Sequence, residues 1–314
     1  MFGHFIFSIN TVVPLFLLIG LGFFLRRTEF LPKQFFAAGN RMVFYILLPI
    51  SLFDSIFNAD LSQLASFGFA AFSVGATFIS FLAAWAISLF IVKEKDVRGA
   101  FTQGAFRSNA VFVGLPLMRN LAGDEGIAVF ALVVALSVPV VNICSIFVLS
   151  VYADKKVKLL QVLISIVKNP LMIGMFFGFV FSLFNINLPY VFGRTLSDLS
   201  RMSTPMALLC LGGGITILGF DKKIKYAVVA TIIKIIVLPI VFTTVAYLLG
   251  FRGIELAAFM VLGGLPSAIS GYSTVVEMGG DSYTASNIVL ISTLFSSVTL
   301  TLFIYVMMVM GLMF

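Results

Sequence analysis

Apolar runs long enough to cross a bilayer, about 20 residues each, follow one another along nearly the whole of this 314-residue chain. Inside hydrocarbon every unpaired backbone N–H or C=O is costly, so such runs must fold as helices that pair their own backbone. A water-soluble alternative lacks material: 61% of residues are hydrophobic and 11% charged, too little polar surface to cover a core of this size. The chain reads as an all-α, polytopic integral membrane protein.

Ten spans are expected, at 5–26, 35–56, 66–92, 97–121, 125–152, 160–184, 189–218, 223–249, 252–279 and 282–313, the fourth and ninth interrupted. The first run is too long for a signal peptide, lacks a basic leader and is followed by Arg26-Arg27, so it reads as a membrane helix. The formal charge of +7 sits in short clusters between runs, which makes it a topology signal and not a sign of a nucleic-acid partner. Arg26, Arg27 and Lys33 follow span one; Lys93, Lys95 and Arg98 follow span three. Lys155, Lys156 and Lys158 follow span five, and Lys222, Lys223 and Lys225 follow span seven. The connections between are free of Lys and Arg around 57–65 and 185–189. By the positive-inside rule the basic loops are cytoplasmic and both termini lie outside a plasma membrane, the inner membrane in a bacterium.

The two halves, 1–152 and 160–314, carry the same signals in the same order across a short linker at 153–159. Pro14-Leu15 with Ile19-Gly20 is matched by Pro170-Leu171 with Ile173-Gly174, and Arg98-Gly99 by Arg252-Gly253. Gly114-Leu115-Pro116 in span four is matched by Gly264-Leu265-Pro266 in span nine. Five spans is an odd number, so the repeats must be inverted relative to each other, and paired broken helices at matching positions point to a transporter's binding site. The tripeptide supplies a reason for each break: glycine lets the chain turn, and proline can restart a helix whose first turn needs no N–H. A restarted helix directs free N–H groups and its positive dipole end into the gap, where a carboxylate is favoured. The plainer alternative is a kinked helix pair that serves only packing.

The run Arg107-Ser108-Asn109, Phe112, Gly114-Leu115-Pro116 resembles the fourth helix of the auxin efflux carrier family, which includes plant auxin carriers and bacterial malate and malonate permeases. Tyr45 to Pro49 with Leu52-Phe53, Lys168 to Leu171, and Thr204 to Ala207 with Leu211-Gly212 are similar to the family as well. So are Leu265-Pro266-Ser267 with Gly279-Gly280-Asp281, and Ile291 to Leu294. The resemblance implies ten helices in two inverted five-helix repeats, with spans 4 and 9 crossing near the bilayer middle. Spans 1, 2, 6 and 7 would form a scaffold, and spans 3–5 and 8–10 a transport domain that moves like an elevator. It also implies a homodimer through the scaffold.

Gly114, Leu115, Pro116, Gly264, Leu265 and Pro266 are the expected frame of a substrate site. Asn109 offers an amide that either donates to a carboxylate or repairs the broken backbone. Ser267 and Ser270 stand in the second break, where a serine equally bonds back to its own helix. Arg107 lies nine residues past Arg98, about 13 Å along a helix, which places its charge near the midplane at a cost of about 2.5–3.5 kcal/mol. An anionic substrate, Glu277, or carbonyls freed by the breaks would compensate it. Lys234 is as deep in span eight; the family often has a basic residue there, which implies an architectural role. Glu277 and Asp281, at the end of span nine, are candidates for a coupling or charge-pair role and otherwise solvated end charges. Span three holds no Asp or Glu, so no proton-carrying carboxylate is expected there. Cys144 and Cys210 lie in apolar runs and read as packing, Met307 to Met313 as lipid-facing filler, and Tyr45 and Trp85 as interface or packing residues.

The expected function is a secondary active transporter of small organic anions, indole acids or malate-type dicarboxylates, by alternating access. A sodium- or proton-coupled transporter of the bile-acid or antiporter type is the alternative, with H+ or Na+ as the coupling ion. A channel or a membrane sensor is a third. An enzyme is disfavoured, because no nucleophile, base and orienting group can be placed together. With a single His, no CxxC and no H-E-x-x-H, neither a metal nor another cofactor is expected.

Overall fold

The computed structural model describes residues 2–58, 66–152, 170–184, 186, 188–215 and 223–313. The expected linker at 153–159, the start of span six, and Lys155, Lys156, Lys158 and Lys222 lie outside them. The described residues form helices: α1 (Phe2–Arg27), α2 (Lys33–Phe57), α3 (Phe67–Ile91), α4 (Lys95–Phe106), α5 (Leu115–Tyr152), α6 (Pro170–Leu183), α7 (Tyr190–Gly213), α8 (Ile224–Leu248), α9 (Gly253–Gly264), α10 (Ile269–Glu277) and α11 (Ser282–Val309). Six helical stretches among them are long and apolar enough to cross a membrane: α1, α2, α3, α8, α11 and the stretch Ala110–Tyr152. Expected spans four and nine each appear as two shorter helices separated by extended backbone.

Three prolines are accommodated by one device. Proline removes an N–H from the helical ladder and crowds the carbonyl four residues back. Before Leu48-Pro49, Leu115-Pro116 and Leu238-Pro239 the chain widens into a five-residue π turn, at Val43–Leu47, Ala110–Gly114 and Ile233–Val237. In each the leucine N–H reaches five residues back, to Val43, Ala110 and Ile233, so the helix continues past the proline.

This corrects the expected role of Gly114-Leu115-Pro116. The first break lies upstream, at Arg107-Ser108-Asn109, where Arg107 is extended (φ −76°, ψ 107°). Pro116 sits two residues past the π turn and interrupts nothing. Gly264-Leu265-Pro266 behaves as expected: α9 stops at Gly264 and Leu265 turns extended (φ −59°, ψ 148°), the conformation that a following proline imposes. The tripeptides are thus a repeated sequence signal with two structural uses. The helices themselves match better, because α4 and α9 are both 12 residues long and each leads into a break. Ala122 and Gly123 (φ 61°) leave helical geometry and divide α5 in two, so the helix restarted after the first break ends there, as the one after the second ends near Gly279 (φ 77°); both glycines lie in the left-handed region that suits them.

Helices α1 and α7 approach through glycines. A Cβ on Gly212 would lie 1.9 Å from the Ile19 carbonyl oxygen, and one on Gly22 2.0 Å from that of Leu209. Helices α2 and α6 repeat the arrangement, with a Cβ on Gly174 falling 2.4 Å from the Pro49 oxygen. Small residues at such crossings let backbones close on each other where no hydrophobic force drives association. Helix α9 is buried nearly all round, from Leu256 to Gly264, which accounts for its apolar circumference. Its Phe259 packs with Phe69 and Phe72 of α3 and with Phe251. Cys144 and Cys210 are free and buried. Met307 and Met313 are buried too, which corrects the lipid-facing expectation for that stretch; Met310 alone among those named is largely exposed, at 65%.

Candidate functional site

The two breaks meet. Asn109 donates its backbone N–H to the Pro266 carbonyl at 2.9 Å, and Ala268 donates to the Arg107 carbonyl at 3.2 Å. These bonds make an antiparallel bridge between Ser108 and Ser267, the one β contact among the described residues. Unwound backbone at membrane depth must be satisfied by protein or water, and here each break satisfies part of the other. Further bonds hold the joint. Ser108 Oγ donates to the Leu262 carbonyl at 2.6 Å. The Ser267 N–H reaches Ser292 Oγ at 3.0 Å. Lys234, fully buried, aims its ammonium at the Leu262 and Gly263 carbonyls. These carbonyls end α9, where the helix dipole is negative, so the cation caps it.

A cavity of about 450 Å³ opens on this joint. The breaks supply Arg107, Asn109, Ala268 and Ser270; the turn Ala110–Phe112 and Ala268 with Ser270 are the starts of the two restarted helices. Helix α3 adds Thr77 and Ser80, and α5 adds Ser137 and Asn142. Helix α2 adds Asn40, Arg41, Phe44 and Tyr45, and apolar wall comes from Phe106, Leu171 of α6, Phe242 of α8 and Leu262 of α9. No carboxylate among the described residues lines it. A second cavity of about 620 Å³, lined among others by Arg26, Arg27, Lys33 and Glu29, shares Asn40 with the first.

Arg107 donates to Ser145 Oγ at 3.3 Å and to Ser270 Oγ at 3.2 Å, two neutral acceptors for a group with five N–H donors. It has no acidic partner among the described residues. The Asn109 side chain is 5% exposed, lines the cavity and bonds to no other described residue. Its backbone already makes the repair across the breaks, so the amide itself is free for another partner.

The sequence-derived candidates therefore divide. Arg107, Asn109 and Ser270 come together at the cavity. Gly114, Leu115 and Pro116 are buried in the core, Gly114 being pressed against Phe130 and Leu265, and none of the three lines the cavity. Gly264, Leu265 and Pro266 shape the joint from behind, and Ser267 faces a water-sized void beside Gln103. Asp281 caps α11 through Thr284 and lies 3.5 Å from Lys223, away from the cavity. The Glu277 side chain lies outside the described residues. Arg41, Asn40 and Asn142 were missed. Arg41 and Asn40 stand together on the polar face of the amphipathic start of α2, a signal the sequence does carry.

Beyond the first break the chain is tied to α1, α2 and α7. Arg119 donates to Ser55 Oγ at 3.5 Å and to Ser200 Oγ at 3.4 Å, and the Asn120 amide donates to the Thr11 carbonyl at 3.1 Å.

Residues 7–304 match the family model described as "Membrane transport protein". Relatives span nearly the whole chain. An uncharacterized transporter of Methanothermobacter thermautotrophicus is 21% identical over 94% of this chain and 97% of its own. A Rhizobium meliloti protein provisionally named a malonate transporter is 24% identical, over 94% of each. The uncharacterized transporter YfdV of Escherichia coli is 24% identical over 96% of this chain and 98% of its own. With apolar helices that can cross a bilayer and a family model covering almost the full length, the chain is an integral membrane transport protein and belongs to the auxin efflux carrier family.

Proposed function

We propose that the chain is a secondary carrier of small organic anions, carboxylates of the indole-acid or malate type, and that the anion binds at the crossed breaks. One observation carries the reading: the partly satisfied Arg107 guanidinium and the free Asn109 amide face a cavity that no carboxylate of the described residues lines. A positive charge within a membrane segment calls for a counter-charge, and the starts of two helices add dipoles of the same sign. The relative named for malonate is in keeping with such a cargo.

Alternating access is the mechanism we favour. In this reading the stretch Ala110–Tyr152 is divided at Gly123, its first part completing span four with α4 and its second part forming span five; with α9 and α10 as span nine and with α1, α2, α3, α6, α7, α8 and α11, that makes ten spans and puts both termini outside the plasma membrane. The glycine crossings of α1 on α7 and α2 on α6 support a scaffold of those four helices. The bonds from Arg119 and Asn120 to α1, α2 and α7 support a closed interface on one side of the site. On the other side the cavity at the breaks adjoins the basic vestibule of Arg26, Arg27 and Lys33, the side the charge pattern assigns to the cytoplasm.

Flux into proteoliposomes tests the reading. Labelled malonate, malate and indole-3-acetate are offered with sodium, proton and potential gradients applied separately. Uptake of at least one, lowered more than tenfold by Asn109→Ala, is the expected result. No movement of any carboxylate under any gradient would sink it.

A further inference from the structure

We propose that Arg41 is a second anion-binding group of the cavity, and that with Arg107 it makes the site select dianions over monoanions. The inference rests on the carboxylate-carrier reading above and sharpens its substrate class.

Arg41 lies on α2, just before the π turn Val43–Leu47, and its side chain is exposed. It forms no ion pair or hydrogen bond with any described residue, so its guanidinium is available to a ligand. The side chain borders the same cavity as Arg107, and Tyr45, four residues on, borders it too. Arg107 comes from the broken segment and Arg41 from α2, so the two cations reach the cavity from different helices. Both have spare N–H donors in the fork geometry that suits a carboxylate. With no acid among the described lining residues, these two arginines give the cavity two formal positive charges. A monocarboxylate would compensate one of them; a dicarboxylate compensates both.

The amides Asn40, Asn109 and Asn142 border the same space and bond to no other described residue. They suit the neutral part of such a molecule, a hydroxyl or keto group between its carboxylates. Arg41 belongs to the proposed scaffold and Arg107 to the proposed moving part. Contact of one ligand with both is therefore made in this arrangement of the two parts, and sliding of one past the other removes Arg41 from the ligand.

The test compares molecules of equal shape and different charge. Malonate and succinate are paired with their monoamides, malonamate and succinamate, as competitors of labelled substrate in proteoliposomes at a pH where the diacids are dianions. The wild type is expected to prefer each diacid over its monoamide by about tenfold or more, the scale of one charge-assisted contact. Arg41→Gln should abolish the preference, bringing each diacid down to the competition shown by its monoamide, and should leave the melting temperature unchanged, since Arg41 has no partner among the described residues to lose. Arg41→Lys should restore part of it. A wild type that ignores the second charge, a preference unaltered by Arg41→Gln, or transport of indole-3-acetate with no competition from any diacid would overturn the role of Arg41 and leave the carrier reading standing. If no carboxylate moves or competes at all, both readings fall.

Discussion

Asn109 and Pro266 join the two interrupted segments through a backbone bond of 2.9 Å, while the Asn109 side chain bonds to no described residue. The residue thus has a structural half and a free half, and substitution separates them. Asn109 has φ −80°, within the range that proline adopts. Asn109→Pro removes the N–H and should lower stability by about 1–3 kcal/mol, the cost of an unpaired buried carbonyl. Asn109→Ala keeps the N–H and should leave the melting temperature nearly unchanged. Thermal unfolding in detergent checks both.

Lys234 concerns the same joint from behind. Burying its ammonium is costly, and two carbonyls at the end of α9 repay that cost. Lys234→Met removes the charge and strands the Gly263 carbonyl, while Leu262 keeps the Ser108 hydroxyl, so a loss of about 1–3 kcal/mol is expected. A stabilised variant would mean that desolvation of the ammonium outweighs the cap.

The helix crossings predict a contrast between two glycines. Gly212→Ala places a methyl 1.9 Å from the Ile19 oxygen, so α1 and α7 must part; overpacking of this kind costs about 1–3 kcal/mol. Gly20, the residue after Ile19 on α1, has nothing within 4 Å of the place a Cβ would take. Gly20→Ala should therefore be neutral or gain a few tenths of a kcal/mol, since alanine favours the helix. Equal losses in the two variants would refute the crossing.

Between α3 and α4, Glu94 sits below its ordinary carboxyl pKa, first through a backbone hydrogen bond and then through the Tyr226 hydroxyl, which donates to it at 2.9 Å. A lowered folded pKa gives stability that is present above the unfolded value of 4.5 and lost as pH falls through the folded one. Tyr226→Phe should melt below the wild type at neutral pH, and the gap should narrow as pH drops below 4.5. Melting curves from pH 7 to 3.5 read this directly.

How much of this was legible in the sequence follows from which physics acts locally. Apolar runs must be helices in lipid, so α1, α2, α3, α8 and α11 could be read with ends correct to a few residues. The second break could be read from Leu265-Pro266, because proline restricts its neighbour. The first could not be read from Leu115-Pro116, because a π turn absorbs the proline and the chain instead opens at Arg107-Ser108-Asn109, which contains neither Gly nor Pro. Charge was the usable signal there: Arg107, marked by its depth in an apolar segment, is one of the three residues of the break. Asn142 and Ser137 are single polar residues in an apolar helix; only the tertiary contact of α5 with the breaks brings them to the cavity.

The central claim is that a carboxylate occupies the crossed breaks, and ligand-dependent melting tests it most directly. Purified protein is melted with malonate, succinate, malate, indole-3-acetate and uncharged analogues, alongside Arg107→Gln and Asn109→Ala. A ligand that binds only the folded state adds about 2.7 kcal/mol at 100 times its Kd, well within reach of the method. At least one carboxylate is predicted to raise the wild-type melting temperature where its uncharged analogue does not, and both variants are predicted to lose the shift. A carboxylate-induced shift that survives in both variants, or none with any anion, would contradict the claim.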